Sequence, residues 1–349
     1  MNLKSLAITP ELLKLIAEID EFKGGWKLMQ SLSPDRLQSL KHVATIESIG
    51  SSTRIEGAKL TDNQVEELLK GVRTQSFETR DEQEVVGYAE ATEMVIDSHA
   101  DIPLSENHIK QLHIALLRHS TKDERHRGEY KKFPNSVEAF DPDGNSLGIV
   151  FETASPFDTP YKMEALIKWV NETMEDGSIH PLLVAAMFTV VFLAIHPFQD
   201  GNGRLSRVLT TLLLLKSGYS YIPYSSMESV IERNKDAYYL SLRRTQTTLD
   251  NDAPDWLPWL RFFLVSLKRQ KDHLVSKLET HLSANYQKLS PKEILILEYV
   301  EKHGRITTSD AHALLGIPRP TVKKRLAQLA KIGFLSPQGK GRGSYYEKG

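Results

Sequence analysis

Residues His196 to Arg207 read HPFQDGNGRLSR and lie between two strongly apolar segments. Pro197 disfavours the helical conformation at His196. The apolar helix before it should therefore end there and present the imidazole at a helix–loop junction. Gly201-Asn202-Gly203 follows, and a second helix begins. Glycines let a backbone approach a ligand closely and adopt positive φ. Amides at a helix N-terminus attract anions. Arg204 and Arg207, three apart, share the new helix's first turns, and each offers a planar fork of donors that suits phosphate. Asp200 beside this cradle suits Mg²⁺, which takes carboxylate and phosphate oxygens. His196, with an ordinary pKa of about 6.5, suits a general base. These residues make a phosphoryl- or nucleotidyl-transfer site.

The elements that must hold this site read as helical almost throughout. Helices are expected from Thr9-Pro10, from Ser33-Pro34 to about Ile49, from Thr61 to Gly71, over 80–99, from Ser105, and from Thr159-Pro160. The segment 181–195, PLLVAAMFTVVFLAI, is apolar all round, as a helix central to a bundle would be. Further helices are expected over 205–216, 229–248 and 254–285. Residues 127–153 break the pattern with two prolines and turn signals, and predict a β-hairpin turning near Asp143-Gly144. His108, His113, His180, Trp256 and Trp259 read as structural residues.

From about Leu289 the texture changes to three short helices and two strands around a Gly/Lys/Arg-rich turn, the pattern of a winged helix-turn-helix. Residues 281–349 carry 12 basic and 5 acidic residues, while the whole chain of 349 carries a net charge of −1. A basic tail on an acidic body suggests that the tail meets nucleic acid. Arg319, Thr321, Lys323, Lys324 and Arg325 lie off the stripe of Val322, Leu326 and Leu329, and Lys340 and Arg342 sit in the wing, so these are the candidate DNA contacts. The chain has no cysteine, which excludes disulfides, thiolate zinc sites and cysteine catalysis. The N-terminus lacks the apolar core of a signal peptide, and Leu182–Ile195 is too short to span a bilayer. The expectation is a cytoplasmic protein with no membrane partner.

The central motif closely resembles HxFx[DE]GNGRxxR of the Fic family, matching at His196, Phe198, Asp200, Gly201, Asn202, Gly203, Arg204 and Arg207. The resemblance implies a mostly α fold: a Fic-type helical bundle with a β-hairpin flap, here followed by the winged helix. It divides the chain into an N-terminal helical region at 1–105, a Fic core at 106–285 and the winged helix at 286–349. It implies a protein adenylyltransferase that moves AMP from ATP to a hydroxyl of a target protein or of itself. His196 would be the base and Asp200 the Mg²⁺ ligand. Gly201, Asn202 and Gly203 would hold the phosphates. Arg204 would clamp the β-phosphate and Arg207 the γ-phosphate. Asn234 and Tyr238 resemble the segment lining adenine and ribose. Such proteins often self-associate, so a homodimer is expected.

A second stretch, SSTRIEG, fits the family's inhibitory pattern [ST]xxxE[GN] through Ser52, Glu56 and Gly57. A glutamate paired with Arg207 would remove a donor the γ-phosphate needs, and ATP would then bind misaligned. Two alternatives stay open: removal of AMP by the same site, and a DNA-binding regulator that only senses nucleotide. The intact His196 and Asp200 argue against the second.

Overall fold

Helix and strand boundaries follow the caps and breaks in the chain. The structure, a computed structural model, describes residues 3, 5–29, 34–71, 77–140, 146–282, 289–339 and 344–349. The helices are α1 (Pro10–Met29), α2 (Pro34–Ile55), α3 (Asp62–Gly71), α4 (Arg80–Ser98), α5 (Glu106–Leu116), α6 (Thr159–Asp176) and α7 (Pro181–Ile195). They continue with α8 (Asn202–Lys216), α9 (Met227–Glu232), α10 (Lys235–Gln246), α11 (Leu257–Leu282), α12 (Pro291–His303), α13 (Thr308–Leu315) and α14 (Arg319–Lys331). Strands β1 (Ser136–Phe140) and β2 (Ser146–Glu152) form the expected antiparallel hairpin, with register shifts after Val137 and Ala139. The turn expected at Asp143-Gly144 lies outside the described residues.

The chain divides into two units. One holds residues 1–26 and 44–271, the other 27–43 and 272–349. In the first, α7 is buried along nearly its whole length and packs on α6, α8 and α10, while α4 and α5 pack on α8. Full burial of each large apolar side chain stabilises by roughly 1.5–3 kcal/mol. A helix with so many buried positions is therefore a fixed post for the residue at its end. In the second unit, Leu289, Ile294, Leu297, Ile306, Val322, Leu326 and Leu329 close one core. Its sheet has three strands, β3 (Arg305–Thr307), β5 (Tyr345–Lys348) and β4 (Leu335–Gln338) in that spatial order. Two strands were expected.

Two helices differ from expectation. Helix α2 runs six residues past Ile49, because Ser51, Ser52 and Thr53 are buried rather than exposed and Thr53 bonds back to the carbonyls of Ile49 and Gly50. The stretch expected as one helix over 229–248 breaks at Arg233-Asn234, where the Asn234 amide donates to Val230 O.

Candidate active site

His196 holds the least ordinary backbone of the first unit. Among the described residues it is the one non-glycine residue with positive φ, at 52°. It caps α7 in the left-handed conformation, with its N–H donating to Phe192 O at 2.8 Å. Pro197 disfavours the right-handed region for this residue, and the chain leaves the helix by the left-handed turn. Its Nδ1 lies 3.3 Å from Leu193 O. A carbonyl only accepts, so Nδ1 carries the proton and Nε2 keeps its lone pair. Burial pulls the His196 pKa down to about 4, and the nearby charge of Lys131 adds to this. The imidazole is neutral near pH 7.

The loop after it is built from the inside. Phe198 is fully buried and stacks on His113 at 3.8 Å between ring centres. His113 Nδ1 accepts the Gly128 N–H at 2.8 Å, so Nε2 carries the proton and donates to Asp200 O at 3.0 Å. Burial pulls its pKa to about 4 as well. His113, read from the sequence as structural, is thus what sets the loop's depth. The Asn202 side chain accepts the Phe198 N–H and donates to Phe198 O, at 2.9 and 2.8 Å. Asn202 therefore closes the loop with its side chain and offers a ligand only its backbone amide. Gly201 takes φ 77° as the N-cap of α8.

The hairpin's root is stitched to the same loop. Lys131 donates its ammonium to Asn135 Oδ1, Thr153 Oγ1 and Ile195 O, and its backbone N–H to Pro197 O. Asn135 Nδ2 donates to Phe198 O at 2.9 Å. Burial lowers the Lys131 pKa to about 8.

Four charges alternate around a ring beside the loop. Arg80 Nε donates to Glu84 Oε1 at 2.7 Å, and Glu84 Oε2 lies 3.2 Å from Arg204 Nη1. Arg204 Nη2 donates to Asp200 Oδ1 at 3.4 Å, and Arg80 Nη2 to Asp200 Oδ2 at 3.2 Å. Burial pushes the Asp200 carboxyl up, but Arg204, the Gly201 amide and Arg80 outweigh it and hold it below its usual range. Arg80 and Glu84 carry no motif. Their spacing of four, continued by buried Tyr88, marks one face of α4 and is the only sequence signal that could have found them.

Arg207 is gripped by α2. Its Nε donates to Ser52 Oγ at 2.8 Å, and its Nη2 to Ser52 O at 3.0 Å and to Glu56 Oε1 at 2.8 Å. Burial pushes the Glu56 carboxyl up, but the charge and hydrogen bond of Arg207 dominate and keep it ionised. Gly203 leaves room for this: a Cβ there would fall on the Glu56 carboxylate. The carboxylate thus sits at the N-terminus of α8, where the helix favours an anion. Gly57, at φ 105°, turns the chain away. Among the described residues, Arg207 Nη1 and Arg204 Nε are buried donors without a hydrogen-bond acceptor, and Arg204 Nη1 meets Glu84 as an ion pair without an aligned hydrogen bond.

The adenine candidates lie farther off in character. Asn234 accepts from Arg269 Nη1 at 3.0 Å. Tyr238 is 3% exposed and packs edge-on to Trp259. Burial pushes its phenol up to about 12, while Arg207 pulls the other way.

In the second unit, Arg319, Thr321, Lys323 and Lys324 are exposed on α14. Arg325 turns inward, donating to Ser290 Oγ at 2.8 Å beside Glu293. It is a structural tie of the domain. Lys340 and Arg342 lie outside the described residues.

The Fic/DOC family profile matches residues 103–214, and a winged helix-turn-helix DNA-binding profile matches 289–336. A protein adenylyltransferase Fic of Drosophila virilis is 26% identical over 275 residues, covering 72% of this chain and 52% of the relative. That of Drosophila melanogaster is 28% identical over 228 residues, covering 65% and 41%. The chain spans about half the length of the curated relatives it matches. A Fic family protein from Desulfovibrio desulfuricans superposes with a TM-score of 0.61 at 25% identity, over 99% of this chain and 98% of that one. A Fic domain containing signaling protein from Bacteroides thetaiotaomicron gives 0.60 at 26%, over 76% and 96%. The site geometry, the profile matches and these likenesses agree: the chain carries a Fic domain followed by a C-terminal winged helix-turn-helix domain.

Proposed function

We propose that this chain is a protein adenylyltransferase restrained by its own Glu56. The observation that carries the reading is Arg207, a buried guanidinium with one donor on the Glu56 carboxylate and another without an acceptor, at the N-terminus of α8. The unmet donors of Arg204 and Arg207, beside outward-pointing helix amides, fit a polyphosphate. Mg²⁺ also fits. Asp200 is a partly exposed single carboxylate, and a cation that shares its shell with phosphate oxygens and water needs no larger protein cage. Bound there, the ion would neutralise charge on the phosphates.

The chain's residues then have these tasks. His196 Nε2 takes the proton of the attacking hydroxyl. The hydroxyl oxygen bonds to the α-phosphorus, and pyrophosphate leaves as the α–β bridge breaks. The backbone amides of Gly201, Asn202 and Gly203 receive charge developing on phosphate oxygens. The β1–β2 hairpin, tied to the loop through Lys131 and Asn135, holds the target segment beside His196. Glu56 competes for Arg207, so ATP seats with its α-phosphate misaligned, and an error of about an ångström costs roughly a hundredfold in rate. The relatives' name, protein adenylyltransferase, points the same way. For the second unit we propose duplex DNA as partner, through Arg319, Thr321, Lys323 and Lys324.

The test uses ATP labelled at the α-phosphate with Mg²⁺ and a cell lysate. Glu56→Gly should raise label on the chain itself or on a lysate protein, and Glu56→Gly/His196→Ala should abolish it. Label that fails to rise with Glu56→Gly, or that persists without His196, rejects the proposal.

A further inference from the structure

The SSTRIEG segment holds one charged side chain that the site above does not use. Arg54, two residues before Glu56, has all five N–H donors engaged. Nε donates to Glu232 Oε1 at 2.6 Å and Nη2 to Glu232 Oε2 at 3.1 Å. Nη1 donates to Leu60 O at 3.0 Å and to Asp62 Oδ1 at 2.8 Å. The second Nη2 proton goes to Ser51 Oγ at 3.3 Å. Ser51 precedes Glu56 in the chain, and Leu60 and Asp62 follow it, so one guanidinium brackets the Glu56-Gly57 turn on both sides. The bidentate pair with Glu232 fixes that bracket to the end of α9, two residues before Asn234.

A glycine one turn earlier agrees with this. Gly50 lies inside α2, where glycine is normally unfavourable. A Cβ at that position would collide with the Asp62 carboxylate and the Arg54 guanidinium. The turn has apolar anchors of its own: Ile55 and Ala58 are buried, and the Ala58 N–H donates to Thr53 O. Glu56, its side chain 31% exposed, and Gly57 bond through their own N–H groups only back to Thr53 and Arg54, so Arg54 is what adds a tie from this turn to α9.

We propose that Arg54 is the positioning residue of the Glu56 brake, clamping the last turn of α2 to α9 so that the carboxylate stays on Arg207. The proposal rests on the reading that Glu56 restrains transfer. Arg54 lies within a three-carboxylate-oxygen cage and not among the groups that meet the phosphates. Ser52 keeps its own two bonds to Arg207 when Glu56 leaves, so loosening the clamp should free the arginine's remaining donors without disordering it.

The full-length variants Arg54→Met, Glu232→Gln and Gly50→Ala are assayed for AMP incorporation, each alone and combined with Glu56→Gly. Each single variant should exceed the wild type, Arg54→Met by about tenfold, as expected for a two-state shift of modest size. In the Glu56→Gly background the same substitutions should change the rate by less than about twofold, since the element they act through is gone. Arg54→Lys keeps the charge without the planar fork and should fall between. No rise in the single variants, or a fall of the double variants below Glu56→Gly, overturns the proposal and makes Arg54 a support of the site itself. If Glu56→Gly alone raises nothing, the adenylyltransferase-brake reading fails separately. The clamp is then judged by amide hydrogen exchange: faster exchange at residues 51–57 in Arg54→Met, with α7 and α8 unchanged, upholds it, and unchanged exchange overturns it.

Discussion

His196 combines two demands in one residue: an imidazole with a free Nε2, and a backbone in the left-handed region that L-residues avoid. That region costs a residue with a Cβ about 1–2 kcal/mol, and glycine escapes the cost. The usual order of substitution should therefore reverse here. His196→Ala and His196→Gly both remove the base and should cut transfer by about 10²–10⁴-fold. His196→Gly should nevertheless be the more stable of the two by about 1 kcal/mol. Urea unfolding at equal m-value measures the difference directly, and an alanine variant as stable as the glycine variant would show that the loop does not hold strain at this residue. The left-handed turn is held from below by Phe198 stacked on His113 and from the side by the two Asn202 bonds to Phe198.

At the scale of elements, α4 matters more than its sequence announces. Along one face, Arg80 pairs with Asp200 of the loop, Tyr88 donates to Glu228 of α9, and Glu84 is the partner of an α8 residue, Arg204, whose side chain is 3% exposed. Removing one member of such a pair leaves a buried charge uncompensated, which costs about 3–5 kcal/mol when no other partner remains. Arg204 keeps Asp200, so Glu84→Ala should cost about 2–3 kcal/mol in thermal or urea unfolding. Glu84→Gln, which retains an acceptor, should cost less. Equal losses for both would mean that charge is not what Glu84 supplies. Asp200 and Arg204 are legible from the motif, but their pairing with Arg80 and Glu84 is not, because residues 80–84 and 200–204 are joined only by the fold. What is legible is local. The apolar run of α7, the break at Pro197 and the glycines after it fix the loop through nearest-neighbour sterics, and Ser105 caps α5 as expected. The end of α2 departs from expectation for the opposite reason. Gly50-Ser51-Ser52-Thr53 has weak helix propensity, and tertiary burial overrides it. The same burial carries Ser52 and Glu56 to Arg207.

Across the whole molecule charge is segregated: residues 281–349 hold 12 basic and 5 acidic side chains in a chain of net charge −1. Position on α14 decides which of those cations face outward. Val322, Leu326 and Leu329 are buried in the unit's core, so Arg319, Thr321, Lys323 and Lys324 are left exposed, whereas Arg325 is spent on Ser290 and Glu293. The two kinds of basic residue should therefore fail differently. In the full-length chain, Lys323→Ala/Lys324→Ala should weaken binding to duplex DNA about equally for all sequences. It should also reduce the slope of log affinity against log salt by about 2, close to one unit for each phosphate no longer neutralised by a lysine. Unfolding of the chain should be unaffected. Arg325→Ala should instead destabilise the unit by about 1–2 kcal/mol, the loss of a partly buried charged hydrogen bond, and change the salt slope little. Fluorescence anisotropy over a salt series, read beside denaturation curves, separates the two. Binding that ignores salt, or that survives Lys323→Ala/Lys324→Ala with its slope intact, would place the DNA-binding surface elsewhere than on α14.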